Sequence, residues 1–469
     1  EPSAKASTQR TPIRFREMNP AVVACLLLKL AFAAADYSGG TLSLLQVGVG
    51  RRLPHAYFWA GKNGDLSRTG ASRFTAPSDV SVKPTWSFDG GLVRATPLID
   101  AQKNIYLSTI QGDVYKMTKG GTTLWHYQAD SSLPGVPAIA EGLLFTASVS
   151  GLVVALDMAT GVPRWSTKVA PFISGDTWSV TADASVVAVP VKTSAALNNN
   201  EVVVLDARNG SIRWRFRPDT PVYNLLAAII DDSLVFSDAS GRTYRLDLAN
   251  GRVLWKFNAT SLLDFSTGGA VVGPNRVVYV TSNVGNQGNV QSSVGRGRLT
   301  ALSVDTGARL WYQDTHLQSN NAPAVGHLHP SGGGGLSVVV GVGENPDMPP
   351  QRSGQKVGKV FAFDASTGRR LDWSFSLPVW GFAAAAGDTL FHTCLPDAFS
   401  NPAIGGDGTV YIGFEDGHLY AMRDADGDGR LSASEVSSHN FGNAFQGSPG
   451  IAPGMLVATP CNGMHVFMA

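Results

Sequence analysis

The sequence predicts an all-β fold: an eight-bladed β-propeller of four-stranded antiparallel blades, with the last blade closed by a strand from near the N-terminus. The first observation behind this is a recurring phrase. Its clearest copy, Gly151-Leu-Val-Val-Ala-Leu-Asp157-Met-Ala-Thr160-Gly161-Val-Pro-Arg-Trp165, alternates apolar residues, turns at Thr-Gly and ends in Trp. Alternation reads as strand, and a Gly that tolerates positive φ reads as turn. The second observation is the period. Copies end at Trp125, Trp165, Trp214, Trp255, Trp311 and Trp373, so they recur every ~40 to ~60 residues, the length of a propeller blade. The third is a mismatch at the chain ends. Lys83–Phe88, with Trp86, is a lone strand, whereas the C-terminus supplies only three strands, and pairing them removes two exposed edges.

The other copies vary the phrase. They read V-L-D-A-R-N-G-S-I-R-W to Trp214, R-L-D-L-A-N-G-R-V-L-W to Trp255 and A-L-S-V-D-T-G-A-R-L-W to Trp311. A copy one residue longer, A-F-D-A-S-T-G-R-R-L-D-W, ends at Trp373, and a degenerate one, K-M-T-K-G-G-T-T-L-W, ends at Trp125. These residues resemble the PQQ-like (quinoprotein-like) β-propeller family, whose hallmark is A-x-D-x-x-T-G-x-x-x-W. The resemblance runs from about Trp59 to the C-terminus and implies a Trp docked between neighbouring blades. It spans dehydrogenases, assembly scaffolds and sensor domains, so it implies a fold more than an activity.

Taken in order, residues 1–35 read as an N-terminal extension and a signal peptide. A short apolar run, Ala21–Leu28 and Leu30–Ala35, ends in small residues at A-x-A spacing, although Lys29 interrupts it,. A disordered N-terminus or a short membrane anchor are the alternative readings. Val22-Val23-Ala24-Cys25 does not serve as a lipoprotein box, because the apolar run mostly follows the cysteine. Residues 36–57 read as a linker, and residues 58–469 as the propeller. Phe58-Trp59-Ala-Gly-Lys-Asn-Gly-Asp-Leu-Ser-Arg68-Thr69-Gly70 looks like the family's lead-in motif. Blades one to seven are expected at about 95–127, 135–168, 177–216, 225–257, 269–312, 322–375 and 401–441. Blade eight combines 447–468 with the Trp86 strand. Gly/Pro-rich inserts at 285–298 and 343–358 read as surface loops.

Blade seven replaces the usual turn with Asp424-Ala-Asp426-Gly-Asp428-Gly429-Arg430-Leu-Ser432-Ala-Ser-Glu435. This fits D-x-[DN]-x-[DN]-G-x5-E at every fixed position and resembles an EF-hand calcium loop. Calcium takes six to eight hard oxygens at about 2.3–2.6 Å. The resemblance assigns carboxylates to Asp424, Asp426 and Asp428, a backbone carbonyl to Arg430, a direct or water-mediated contact to Ser432 and a bidentate carboxylate to Glu435. His418–Met422 reads as a strand, and only a short helical turn fits after Glu435. The expected role is therefore structural rather than a calcium-driven opening of paired helices.

Balanced charge, 37 Lys+Arg against 36 Asp+Glu, gives no reason to expect nucleic-acid binding,. No stretch after the N-terminal region is long and apolar enough to span a bilayer. Once Cys25 is set aside, Cys394 and Cys461 form either a disulfide or two separate buried thiols. His327-Leu-His329 is a weak metal candidate, and His392 with Cys394 a weak nucleophile candidate. Asn209-Gly-Ser211 and Asn258-Ala-Thr260 fit glycosylation sequons. The expectation is a secreted, monomeric, calcium-binding scaffold for a protein or glycan partner, without PQQ. The alternative is a PQQ-dependent dehydrogenase using the central channel, whose alcohol-oxidising members carry adjacent cysteines absent from this sequence.

Overall fold

The computed structural model describes residues 57–469, apart from 176, 195–197, 260–263, 268, 285–295, 330–333, 347–354, 383 and 389–393. The expected signal peptide, all of the linker but Tyr57, His392, most of the 285–298 insert and half of the 343–358 insert lie outside the described residues. Among the described residues, thirty-two strands form eight four-stranded antiparallel sheets, arranged as an eight-bladed propeller. Blades 1 to 7 span Leu98–Gln128, Ala138–Lys168, Thr181–Phe216, Ala228–Phe257, Val271–Asp314, Ala324–Ser376 and Ala403–Asn440. Blade 8 orders Trp86–Phe88 beside Met464–Met468, then Met455–Ala458, then Gly450–Ala452. The closing register sets Trp86 against Val466 and Phe88 against Met464. The expected blades and the composite closure are therefore those observed.

The inner strands carry the core. Val186–Val191 in blade 3 is buried at all six positions, because neighbouring blades cover both faces,. Outer strands alternate instead: Thr123–Gln128 and Pro163–Lys168 repeat a pattern of exposed and half-buried residues,. Apolar clusters accordingly lie between blades, as where Phe145 and Val153 of blade 2 meet Val187 and Val203 of blade 3.

The repeated phrase has a physical meaning at each of its fixed letters. Asp157 Oδ1 accepts the N–H groups of Ala159 and Thr160 and the Thr160 hydroxyl, each at 2.9–3.0 Å, which folds the turn. The Arg164 guanidinium, with these turn bonds, holds the Asp157 carboxyl down at about 2. Trp then locks one blade to the next. Its indole Nε1 donates to the residue after the turn's first position: Trp86 to Lys119 O, Trp125 to Met158 O, Trp165 to Ala207 O, Trp214 to Leu248 O, Trp255 to Val304 O and Trp311 to Ala365 O, at 2.8–3.2 Å. The turn glycine lies under the same ring. Gly161 has φ 73°, and a Cβ there would lie 2.7 Å from the Trp125 ring,. Six consecutive seams, from blade 8–blade 1 to blade 5–blade 6, carry this lock.

A second staple lies late in the chain. Cys394 and Cys461 are disulfide-bonded, with Cα atoms 5.7 Å apart, and form a small buried cluster with Ala385 and Ala444. Of the two alternatives left open by the sequence, the structure has the bond. It ties the connection between blades 6 and 7 to blade 8.

Two outcomes test this account. Trp165→Phe and Trp214→Phe each remove one indole hydrogen bond and should cost about 1 kcal/mol in denaturant unfolding. Trp373→Phe should cost measurably less, because the Trp373 Nε1 is buried without a partner. The second concerns the closure, where His465 Nδ1 lies 2.7 Å from Ser87 Oγ. Burial, and then the neighbouring His439, pull this imidazole down to about 4. An unfolded His takes its proton near about 6.5. Between those values the unfolded chain binds more protons, so stability falls as pH is lowered through that window. Melting temperature should drop from pH 6.5 to 4, and His465→Asn should flatten the slope; an unchanged slope would remove this imidazole from the closure.

Candidate functional site

A propeller's axis is its usual ligand position, and here the chain fills it with its own lead-in segment. Trp59 pairs with Ile99 of blade 1, and Ala60 O accepts from Ile139 N of blade 2. Leu66 O accepts from Ile229 N of blade 4, Ser67 O from Val272 N of blade 5, and Thr69 O from Val325 N of blade 6. Gly70 O accepts from Ile404 N of blade 7. One short segment thus satisfies backbone donors at the inner edges of six blades, which would otherwise face the channel unpaired.

Its side chains continue inward. Arg68 is buried (2% exposed) and reaches blades 3 and 4. Its Nε donates to Ala227 O at 2.9 Å, and its terminal nitrogens to Lys62 O, Val180 O and Thr181 Oγ1. Burial lowers this guanidinium to about 10, with Asp65 partly offsetting it, so it stays charged at neutral pH. A buried cation survives only when hydrogen-bonded, and here carbonyl dipoles supply the bonds. Lys62 Nζ donates to Thr177 O at 2.8 Å. Asn63 bonds Pro323 O and the Asn401 side chain, on the approach to blades 6 and 7. Asn63 and Arg68 hold φ of 58° and 63°, a left-handed conformation that Arg resists and that the surrounding blades impose,. Beside the segment a surface cleft of about 640 Å³ opens, with Asp65, Arg73, Arg276 and His327 at its polar edges and Val272, Val325 and Ile404 below.

The second site is the loop of blade 7. The carboxylates of Asp424, Asp426 and Asp428 converge, with one oxygen of each within 4.8 Å of the others. Asp424 is buried, and its two oxygens accept from Gly427 N and Gly429 N, both at 2.7 Å. Gly427 and Gly429 take φ of 76° and 83°, the sharp turn expected at Gly429. Three hard carboxylate donors held this closely fit a calcium ion by their chemistry. Of the other expected ligands, the Glu435 carboxylate and the Ser432 hydroxyl make bonds within the loop. Glu435 Oε1 accepts from Ala425 N, and its Oε2 from Ser432 N and Ser432 Oγ. Those bonds, Ser432's backbone first, bring its carboxyl down to about 2. Glu435 thus caps the 3-10 turn Ala433–Glu435 and lies outside the converging group,. Ser432 Oγ is shared between Glu435 and Ser434. The Arg430 side chain points to Asp372, at 3.8 Å. The short helical turn precedes Val436, where the strand Val436–Asn440 begins directly, rather than following Glu435.

The weaker candidates separate. His327 Nδ1 lies 3.3 Å from Gly334 O, whereas His329 Nε2 lies 3.4 Å from Asp424 Oδ2, so the pair shares no common centre. Cys394 is consumed by its disulfide. Asn209 is exposed on its turn, and Thr260 of the second sequon lies outside the described residues. The role of Lys62, Asn63 and Arg68 was not read from the sequence; their signal was a charged, amide-bearing stretch directly after a Trp.

Comparison with known proteins places the propeller in a family. The family model described as outer membrane protein assembly factor BamB matches residues 110–293 and 260–459. The chain belongs to this BamB family of PQQ-like repeat propellers. BamB of Yersinia pestis is 23% identical over 235 residues, covering 47% of this chain and 54% of that protein. The putative dehydrogenase XoxF of Paracoccus denitrificans is 25% identical over 229 residues, covering 43% and 36%. The chain thus spans about half the length of one curated relative and about a third of the other. Among solved structures, BamB from Moraxella catarrhalis superposes with a TM-score of 0.58 at 18% identity, covering 82% of this chain and 99% of that one. Quinohemoprotein alcohol dehydrogenase from Comamonas testosteroni gives 0.61 at 12%, covering 87% and 77%. Both likenesses establish the propeller fold of this BamB-family chain.

The loop geometry yields one expected outcome. Asp424→Ala with Asp428→Ala should lower the melting temperature by several degrees more in calcium than in chelator, since both conditions lose the Asp424 bonds to Gly427 N and Gly429 N but only calcium adds the lost ion binding,. Equal losses in both conditions, read by calorimetry, would remove the cation.

Proposed function

We propose that this chain is a non-catalytic, calcium-binding propeller scaffold that presents its loops to a protein partner outside the cytoplasm. The observation that carries the proposal is the filled axis. Trp59, Lys62, Asn63 and Arg68 occupy the channel from the ends of the inner strands, at Ile99 and Ile404, to Thr177 and Pro323 near their starts. A planar quinone on the axis would have to displace a hydrogen-bonded, buried cation. The likeness to an outer membrane protein assembly factor supports a partner-binding role. The Cys394–Cys461 bond supports an oxidising compartment,.

Calcium would be held by Asp424, Asp426 and Asp428, with Arg430, Ser432 and Glu435 as further donors on the EF-hand pattern. When bound, it neutralises the loop's carboxylates. The loop's own residues do the remainder: Gly427 and Gly429 fix the turn, and the hairpin of blade 7 anchors both ends.

The dehydrogenase reading is favoured by the likeness to XoxF and to the quinohemoprotein structure. Titrating the calcium-loaded protein with PQQ, followed by absorbance and tryptophan fluorescence, separates the two. No saturable quenching at high micromolar quinone is expected. Tight one-to-one binding would overturn the scaffold reading.

A further inference from the structure

Six seams of the ring carry the same lock, and the seam beside the acidic loop does not. At the seam between blades 6 and 7, Trp373 keeps its place in the outer strand Arg370–Ser376 and is 1% exposed, yet its indole N–H has no acceptor among the described residues. The carbonyl and glycine that the neighbouring turn supplies at every locked seam are replaced here by loop 424–435. Blade 7 differs in a second way. Blades 1 to 6 each show a register shift between their third and outer strands, and blade 7 pairs His418–Met422 with Val436–Asn440 without one. A buried donor left unmade is a standing penalty, and it falls at this seam.

The loop holds the seam by other means. It reaches back to blade 6 through Asp424, 3.4 Å from His329, and through Arg430, 3.8 Å from Asp372. Leu431 and Val436 join the apolar cluster that contains Trp373, Tyr420 and Met422. Both polar contacts depend on the loop's conformation, and four carboxyl groups within one loop repel one another unless a cation neutralises them. The next seam, between blades 7 and 8, also lacks a Trp lock but is secured differently. His439, Phe441, His465 and Phe467 pack across it, and the Cys394–Cys461 bond spans it.

We propose that loop 424–435 is the catch of a seam built to open between blades 6 and 7, and that cation occupancy sets the catch. The trigger rests on the calcium reading above; the location of the seam rests on the missing Trp lock. The disulfide restricts the motion to local opening of the seam rather than rupture of the ring.

Hydrogen exchange on the full chain, read by mass spectrometry with and without calcium, tests both parts. In chelator, amides of Arg370–Ser376 should exchange at least tenfold faster than those of the matching strands Pro163–Lys168 and Ile212–Phe216. Calcium should remove most of that difference. A variant whose residues 424–435 are replaced by the blade 2 turn, Asp-Met-Ala-Thr-Gly-Val, should exchange slowly in both conditions, because it restores an acceptor and a glycine for Trp373. If that variant does not fold, Trp311→Phe serves instead: it should raise exchange at its own seam to the level of Arg370–Ser376, while Trp373→Phe changes nothing. Equal exchange across all outer strands in chelator would overturn the proposal. Calcium binding by calorimetry without any change at Arg370–Ser376 would overturn the catch and leave the calcium reading standing. No calcium binding, with Arg370–Ser376 still fastest and slowed by the grafted turn, would keep the seam and remove its trigger.

Discussion

The architecture depends on one hydrogen bond made repeatedly: an indole N–H of one blade given to a turn carbonyl of the next, with a glycine beneath the ring. A four-stranded blade cannot bury its faces alone. The lock fixes the distance and rotation at which the next blade stacks, so the apolar faces of Phe145 and Val187, or Tyr279 and Val338, meet in register. Each letter of the phrase serves that bond. The Asp folds the turn, the Thr completes it, and the Gly admits the ring. Where the phrase changes, the bond is lost, and the ring turns to an acidic loop, an aromatic cluster and a disulfide.

The axis shows the same economy applied to the backbone. Inner strands of a propeller present unpaired edges to the channel. Residues 58–70 satisfy them from six blades while burying a guanidinium among carbonyls. The relatives of this chain include an assembly factor and a putative dehydrogenase, and the contents of the axis distinguish a scaffold from a quinone enzyme more directly than the fold does. The acidic loop 424–435, in an outer connection of blade 7, belongs with the architecture of the ring.

Most of the fold was legible because each blade writes its turn and its Trp within a few residues. The composite blade was legible as a lone Trp86 strand and three strands left over at the end. The unlocked seam was visible as the missing Thr-Gly turn of blade 7 and one extra residue in the copy ending at Trp373, but its consequence needed the neighbouring blade. The axial segment was recognised as a motif, but its role was not: Asn63 bonds Asn401, 338 residues away, and such contacts leave no periodicity in a sequence. The disulfide was one of two options, since parity permits a bond but only the fold brings the Cα atoms to 5.7 Å. In the acidic loop the three aspartates converge as the motif implies. Glu435 does not join them, because the loop closes a β-hairpin through a 3-10 turn that Glu435 caps.

The most direct measurement is a crystal structure of the protein grown with both calcium and PQQ, with anomalous data to place the ion. The account predicts calcium among Asp424, Asp426 and Asp428, Arg68 still bonded to Ala227 and Thr181, and no quinone on the axis. A quinone seated on the axis with residues 58–70 displaced would contradict it.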